Sequence, residues 1–499
     1  MSKISPSLNN FLSAIEKKKN QIIWTVLKSD LNTPVSVFKK LAHSKKNNFL
    51  LESVHDGSYR GRYSVIGLEP DLIWKCEKGV AFVKIGNKDF IRQKKEPLRS
   101  LKEVVTASKV FIPNELPPMS SGLVGYLTYE TIELYESLPK RKKSEIKLPD
   151  GFFIRPTIMT IFDNLKDELV IVATSRIDNN INPTTEYKKK VKLINKIINE
   201  IKGPIPKLRK RLIKKNYINP KSNIKKNTFL SMVNKAKQYI FSGEIFQVVI
   251  SQRFKTKFLL PPFDLYRSLR SLNPSPFLFY LNFHINKKDE FSLVGSSPEI
   301  LVKLEKDTIT IRPIAGTRPR GSNNKQDLIY KKELLEDPKE LAEHLMLLDL
   351  GRNDVGRVSK PKSVEVTEKM KVEYYSHVMH IVSNVQGKAI NKKDISNILM
   401  SGFPAGTVSG APKIRAMEII NELEPESRGV YAGCVGYFSG NGDMETCIVL
   451  RTALIKNKIM YVQAGAGIVA DSNPQKEYEE TINKAKALFK AAETAHEYE

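Results

Sequence analysis

Gly429-Val430-Tyr431-Ala432-Gly433-Cys434-Val435-Gly436-Tyr437-Phe438-Ser439-Gly440-Asn441-Gly442-Asp443 begins a stretch that reads as one short strand after another as far as Asp471. The punctuation is Ser439-Gly440-Asn441-Gly442 and, further on, Lys456-Asn457-Lys458, both turn signals. Between Asn227 and this stretch helices and strands mix irregularly, without the repeating alternation of a doubly wound sheet or barrel. The class this indicates is α+β.

Nearer the N-terminus, strands are expected over Asn48–Ser53, Arg62–Leu68, Leu72–Glu77 and Val80–Ile85. A hairpin joins Thr157–Phe162 to Glu168–Thr174 across Asp163-Asn164-Leu165-Lys166-Asp167. Thr33 reads as the N-cap of a helix with Pro34 at its first position. From Thr184 to Asn227 lysine clusters alternate with isoleucines at helical spacing, interrupted by Gly203-Pro204-Ile205-Pro206. That pattern predicts an amphipathic helix and a solvated basic connector. The expected division is a loose tail (1–14), an N-terminal region (15–180), a basic helical linker (181–227) and a C-terminal domain (228–499).

A chain of 499 residues with 41% hydrophobic content can bury a substantial core and exceeds one average domain. Its three cysteines, Cys76, Cys434 and Cys447, lack metal or disulfide spacing, which suits a reducing compartment. The polar start Met1-Ser2-Lys3-Ile4-Ser5 does not read as a secretory signal, and no apolar run is long enough to span a bilayer. The expectation is a soluble, cytoplasmic protein. The formal net charge of +27 raises nucleic-acid binding as another class of function. The excess is mostly lysine spread along the chain among abundant Asn and Ile, and no zinc-finger, RRM or KH signature accompanies it. A basic field would also favour a small dianionic acid or an acidic partner.

Two acidic segments carry the chemistry. Asp337-Pro338-Lys339-Glu340-Leu341-Ala342-Glu343-His344 lies in a helical stretch running to Asp349. Asn473-Pro474-Gln475-Lys476-Glu477-Tyr478-Glu479-Glu480-Thr481 starts a second helix, with Asn473 as N-cap and Pro474 at the first position. In each, two glutamates at i, i+3 share one helix face: Glu340 and Glu343, Glu477 and Glu480. Turned toward each other, the faces would make an oxygen-rich pocket suited to Mg²⁺, whereas turned outward they are solvated surface.

Five further strings occur in order around these segments. They are Ile311-Arg312-Pro313-Ile314-Ala315-Gly316-Thr317-Arg318-Pro319-Arg320-Gly321, Leu347-Leu348-Asp349-Leu350-Gly351-Arg352-Asn353-Asp354, Val378-Met379-His380-Ile381-Val382-Ser383, Phe403-Pro404-Ala405-Gly406-Thr407-Val408-Ser409-Gly410-Ala411-Pro412-Lys413 and Gln463-Ala464-Gly465-Ala466-Gly467-Ile468-Val469. Together they resemble the chorismate-utilising enzymes, and among these the large synthase subunits of anthranilate synthases. The resemblance runs from about Phe229 to Phe489 and more weakly over Leu50 to Thr174. It implies large, mainly antiparallel sheet layers with outer helices, an N-terminal regulatory region and a C-terminal catalytic domain.

It also implies roles. Glu343 and Glu480 would ligate Mg²⁺ directly, with Glu340 and Glu477 holding coordinated waters. Glu299, in Gly295-Ser296-Ser297-Pro298-Glu299, would protonate the departing hydroxyl, which requires a raised pKa. Tyr431 and Arg451 would hold the pyruvyl carboxylate. Gly465-Ala466-Gly467, Gly316 and Thr317 would bring backbone groups close to the substrate, and Thr407 would line the ring pocket near the departing oxygen. His380 would assist loss of pyruvate.

Two positions separate members of the resembled family. Gln247 stands where water-using isochorismate and salicylate synthases carry a lysine base, and glutamine cannot deprotonate water. Ala315 stands where aminodeoxychorismate synthases often carry lysine, so no side-chain amine is offered to the ring. Both favour an anthranilate synthase, Gln247 against the water-using branch and Ala315 against the aminodeoxychorismate branch. The chain lacks a Gly-x-Cys-x-Gly elbow, so the resemblance implies a separate glutamine amidotransferase subunit as ammonia source. Leu50-Leu51-Glu52-Ser53 and Asn273-Pro274-Ser275-Pro276-Phe277-Leu278-Phe279-Tyr280 resemble an effector site for tryptophan. There Glu52 would meet an ammonium, Ser53 would supply a hydroxyl, Asn273 would lie alongside, and Pro276, Phe277 and Leu278 would wall the indole.

Overall fold

The computed structural model of the chain describes residues 3–16, 20–42, 45–55, 59–176, 182–206, 217–286, 288–375 and 378–498. Its strands join in one large antiparallel sheet system flanked by helices, the α+β arrangement expected. Two seams stitch the N-terminal strands to the C-terminal ones. Phe277–His284 pairs with Asn48–His55 on one side (Leu278 opposite Glu52) and with Glu290–Ser297 on the other (Phe277 opposite Ser297). Cys434–Ser439 lies between Gly122–Leu127 and Met444–Ile448. Residues 15–180 and 228–499 therefore share their sheet.

Local sequence accounts for most elements. Thr33 caps the Pro34–Ala42 helix, its hydroxyl accepting from Ser36 N at 3.1 Å. Val80–Ile85 forms as read. The strands expected over Arg62–Leu68 and Leu72–Glu77 are instead one strand, Tyr59–Glu77. Its register shifts between Pro70 and Leu72, beside Glu69 at a left-handed φ of 52°. A bulge of this kind bends a strand without ending it, so the two expected strands are one bent strand.

Two expectations are corrected. The tail over residues 1–14 contains a helix, Leu8–Glu16, whose Phe11 is fully buried with its ring 5.2 Å from that of Tyr187. The helix in the basic linker forms, Pro183–Lys202, but is more than a solvated connector. Ile194, Ile197, Ile198 and Ile201 are buried in the core that also holds Phe38, Phe162 and Ile171, while Lys188, Lys189, Lys192 and Lys196 face solvent. Burying four isoleucines contributes on the order of 6–12 kcal/mol before entropy, enough to dock the stripe. The linker residues 207–216 lie outside the described residues.

The two acidic segments lie on long helices. Asp337 ends one helix (Asn324–Glu336) and N-caps the next (Pro338–Gly356), accepting from Lys339 N at 3.0 Å and Glu340 N at 3.4 Å. Asn473 caps Pro474–Thr494 in the same way, at 3.0 Å from Gln475 N and 3.2 Å from Lys476 N. Proline at the first position of each helix costs no hydrogen bond, so both starts are fixed by sequence.

Candidate active site

The candidate residues lie on or beside several strands and helices of this sheet system. Glu299 follows the Glu290–Ser297 strand and is buried. Thr407, on the short helical turn Gly406–Val408, places its hydroxyl 3.1 Å from both Glu299 carboxylate oxygens. Burial pushes the Glu299 carboxyl up to about 8, partly offset by Thr407, the Ile314 backbone and the Arg451 charge. It is a protonated acid at neutral pH.

His380, on Val378–Lys388, is buried opposite Thr317. Its Nδ1 lies 3.1 Å from the Gly316 carbonyl and 3.0 Å from Thr317 Oγ1. A carbonyl only accepts, so Nδ1 carries the hydrogen and Nε2 keeps its lone pair. Burial lowers the His380 pKa to about 4, which keeps the ring neutral. Gly316 occupies the register shift between Ala315 and Thr317, with φ of 75°. A Cβ there would sit 3.1 Å from Ile381 and 3.3 Å from Glu340 Oε2, so glycine lets the bulge turn its carbonyl onto His380.

Arg451 holds a left-handed φ of 46°, a strained conformation for a side-chain-bearing residue. Burial lowers its pKa, and the nearby Tyr375 and Glu299 draw it back. Tyr375 packs edge-on against His380, ring centres 5.3 Å apart, and donates to Glu373 at 3.2 Å. Tyr431 is buried. A Cβ on Gly465 would come within 2.7 Å of its hydroxyl, and one on Gly467 within 2.8 Å of Gln247 Nε2. Gly465-Ala466-Gly467 lies within the strand Ile459–Ile468, where Gly467 faces Val249 and Gly465 faces Ser251. The glycines make room for Tyr431 and Gln247.

Gln247 Nε2 donates to Glu343 Oε1 at 3.0 Å, tying the glutamate helix to this strand. Burial raises the carboxyls of Glu343 and Glu477. Each also feels its neighbouring glutamate, Glu340 or Glu480, and both feel the ammonium groups of Lys339 and Lys484. The two helix faces therefore lie within electrostatic reach of one another. Glu340 is paired with Arg318 at 3.1 Å and Glu480 with Lys484 at 2.7 Å. Among the described residues no three His, Cys, Asp or Glu side chains converge closely enough to hold a metal ion. The donor chemistry nevertheless fits a hard divalent cation: carboxylates from two helices, two of them destabilised by burial beside a second carboxylate.

Lys484 was not singled out from sequence, where Glu480 and Lys484 are an ordinary i, i+4 pair. Its Nζ also reaches the Gly465 carbonyl at 3.0 Å. Tyr375 gave no signal of spacing either.

Glu52, Ser53, Pro276, Phe277 and Leu278 line one cavity of about 320 Å³. Asn273 is placed elsewhere, lining a second cavity of about 620 Å³ with Arg451, Glu480 and Lys484. The Glu52 carboxylate already has partners: Arg270 at 2.6 and 3.0 Å and the Tyr266 hydroxyl at 2.6 Å.

Residues 47–490 match the family model of the chorismate binding enzymes. The chain belongs to this family. It is 46% identical over 493 residues to anthranilate synthase component 1 of Cereibacter sphaeroides, covering 98% of both chains. With its counterpart from Aquifex aeolicus it shares 45% identity over 95% of each chain. Among solved structures, anthranilate synthase component I from Streptococcus pneumoniae superposes with a TM-score of 0.75 at 38% identity, over 86% of this chain and 92% of that one. The menaquinone-specific isochorismate synthase MenF of Escherichia coli (TM-score 0.69, 18% identity, 97% and 98% covered) shares the fold. Among the described residues no helix is long and apolar enough to cross a membrane.

Proposed function

We propose that this chain is the chorismate-binding subunit of an anthranilate synthase, converting chorismate and ammonia to anthranilate, pyruvate and water. The observation that carries this reading is a buried protonated acid, Glu299, and a buried neutral acceptor, His380, set beside the same two groups, Arg451 and Tyr375. Environments that push two titratable groups apart assign the acid and base. Glu299 gives its proton to the C4 hydroxyl as ammonia adds at C2 and water departs. His380 Nε2 then faces the C2 proton as pyruvate leaves and the ring becomes aromatic. Arg451 and Tyr431 orient the pyruvyl carboxylate.

Mg²⁺, held by Glu343 and Glu480 with Glu340 and Glu477 through water, would bind the ring carboxylate and withdraw electron density from the ring. Gln247 supports ammonia over water as nucleophile, since it holds Glu343 and has no base to offer. A glutamine amidotransferase subunit would supply the ammonia. Tryptophan would bind in the cavity behind Ser53, making the enzyme a feedback-controlled step of tryptophan synthesis in the cytoplasm.

The test is direct. Pure chain, chorismate, Mg²⁺ and an ammonium salt should yield anthranilate fluorescence. Accumulation of 4-amino-4-deoxychorismate would assign the chain to the aminodeoxychorismate branch, and salt-sensitive oligonucleotide binding without turnover would assign it to a nucleic-acid role.

A further inference from the structure

Arg428 makes no approach to the acid or the base, yet it touches three segments that carry the site. It is almost wholly buried, its side chain 1% exposed against 4% for its partner Glu424. Nε and Nη2 fork onto Glu424 at 2.9 and 2.6 Å. Nη1 donates to the Val408 carbonyl at 2.6 Å and Nη2 to the Val249 carbonyl at 2.7 Å. Val408 follows Thr407 in the turn that faces Glu299. Val249 lies two residues beyond Gln247 and opposite Gly467. The guanidinium also lies 5.5 Å from the ring centre of Tyr431 and 4.9 Å from that of Tyr129.

The partner carboxylate extends the same set of links. Glu424 Oε1 accepts from Ser251 N and Ser251 Oγ, both at 2.8 Å, and Ser251 Oγ accepts from Gln463 Nε2 at 2.8 Å. The fork onto Glu424 uses two of the five guanidinium N–H groups. Two of the remaining donors go to main-chain carbonyls of two site-bearing segments and the charged plane lies beside Tyr431. Lysine, a compact point charge, cannot reproduce a planar fork shared among three acceptors.

We propose that Arg428 is a positioning residue, one buried guanidinium that holds the Thr407 turn, the Gln247 strand and Tyr431 in a single relative geometry. Its effect on substrate rests on the function proposed above, whereas its effect on the three segments does not.

Two variants of the full chain test this. Arg428→Lys keeps the charge and loses the fork. The double variant Arg428→Met/Glu424→Gln removes both charges, which avoids leaving one buried and unpaired. Amide hydrogen exchange is followed over 247–252, 406–411 and 429–433, and over Glu290–Ser297 as a reference strand, without substrate. KM and kcat for chorismate with ammonia are measured in parallel, with the melting temperature. Expected are exchange faster by tenfold or more in all three segments, an unchanged reference strand, and a KM raised at least tenfold in a chain that still melts cooperatively.

Exchange confined to 424–428, or kcat falling only with the folded fraction at constant KM, would overturn the proposal. So would failure of both variants to fold, which would make the pair a folding determinant. If the unmutated chain does not turn over chorismate, the functional reading fails while the exchange comparison still decides the role of Arg428.

Discussion

The Thr407 hydroxyl stands at the same distance, 3.1 Å, from both oxygens of Glu299. A hydroxyl both donates and accepts, so it can accept from the protonated acid and donate to the carboxylate once the proton has gone. It therefore serves Glu299 on both sides of the transfer.

Turnover should accordingly fall as pH rises through about 8, where Glu299 loses its proton. Glu299→Gln should lower kcat about 10²–10⁴-fold, the usual contribution of a general acid. Thr407→Val removes a donor that favours the carboxylate and should move the alkaline limb to higher pH. The folded carboxyl is raised, so the folded state holds more protons between about 4.5 and 8 and stability declines across that window. Glu299→Gln should thus gain melting temperature over the unmutated chain at pH 9 but not at pH 5. A rate profile flat from pH 7 to 9.5 would refute the assignment.

His380 gives the opposite sign. Its folded pKa of about 4 lies below the ordinary 6.5, so the unfolded chain binds more protons between these values and acid costs stability there. Full loss of this contribution amounts to about 3 kcal/mol. His344, also lowered to about 4 by burial, adds a parallel loss. His380→Met should therefore unfold at a higher urea midpoint relative to the unmutated chain at pH 5 than at pH 7. In the same variant 2-amino-2-deoxyisochorismate should accumulate, visible by chromatography, because elimination slows more than amination. Lower melting at both pH values with no intermediate would make the histidine a packing residue.

For the glutamates, metal binding can be read without turnover. Mg²⁺ at one hundred times its Kd should stabilise the chain by about 2.7 kcal/mol, seen as a raised melting temperature. Glu343→Ala and Glu480→Ala should abolish that rise and the activity. Glu340→Ala and Glu477→Ala should weaken both and recover partly in excess Mg²⁺. Equal, mild effects at all four positions would mark the two faces as solvated surface.

Ser53→Phe would fill the cavity that Ser53 shares with Phe277 and Leu278, so inhibition by tryptophan should disappear while turnover persists. Because Glu52 is held by Arg270, an incoming ammonium must share that carboxylate. Arg270→Met should therefore alter tryptophan affinity, measured by calorimetry, before it alters kcat. No inhibition of the unmutated enzyme by millimolar tryptophan would remove this site from the account.

Sequence alone disclosed whatever depended on local pattern. Asn473 and Thr33 cap the helices they were expected to cap, and Glu52, Ser53 and Phe277 meet across a sheet as two matching segments implied. What stayed hidden depends on which distant segments meet. Arg428 looked like one of many basic residues, and only the fold brings Val249, Val408 and Tyr431 to it. Phe11 and the isoleucines of Pro183–Lys202 were read as tail and connector because their burial comes from surfaces far along the chain. Asn273 shared a motif with Phe277, yet it lines the cavity of Arg451 instead.

The seam between Asn48–His55 and Phe277–His284 sets an order of events during synthesis. The earlier strand leaves the ribosome long before its partner exists, by on the order of ten to forty seconds at ordinary translation rates. Gly122–Leu127 waits longer still for Cys434–Ser439. During that interval the nascent N-terminal strands present unpaired edges to their surroundings. Substitutions along the two seams should therefore register first in soluble yield from the cell, before any change in the melting temperature of molecules that complete the sheet.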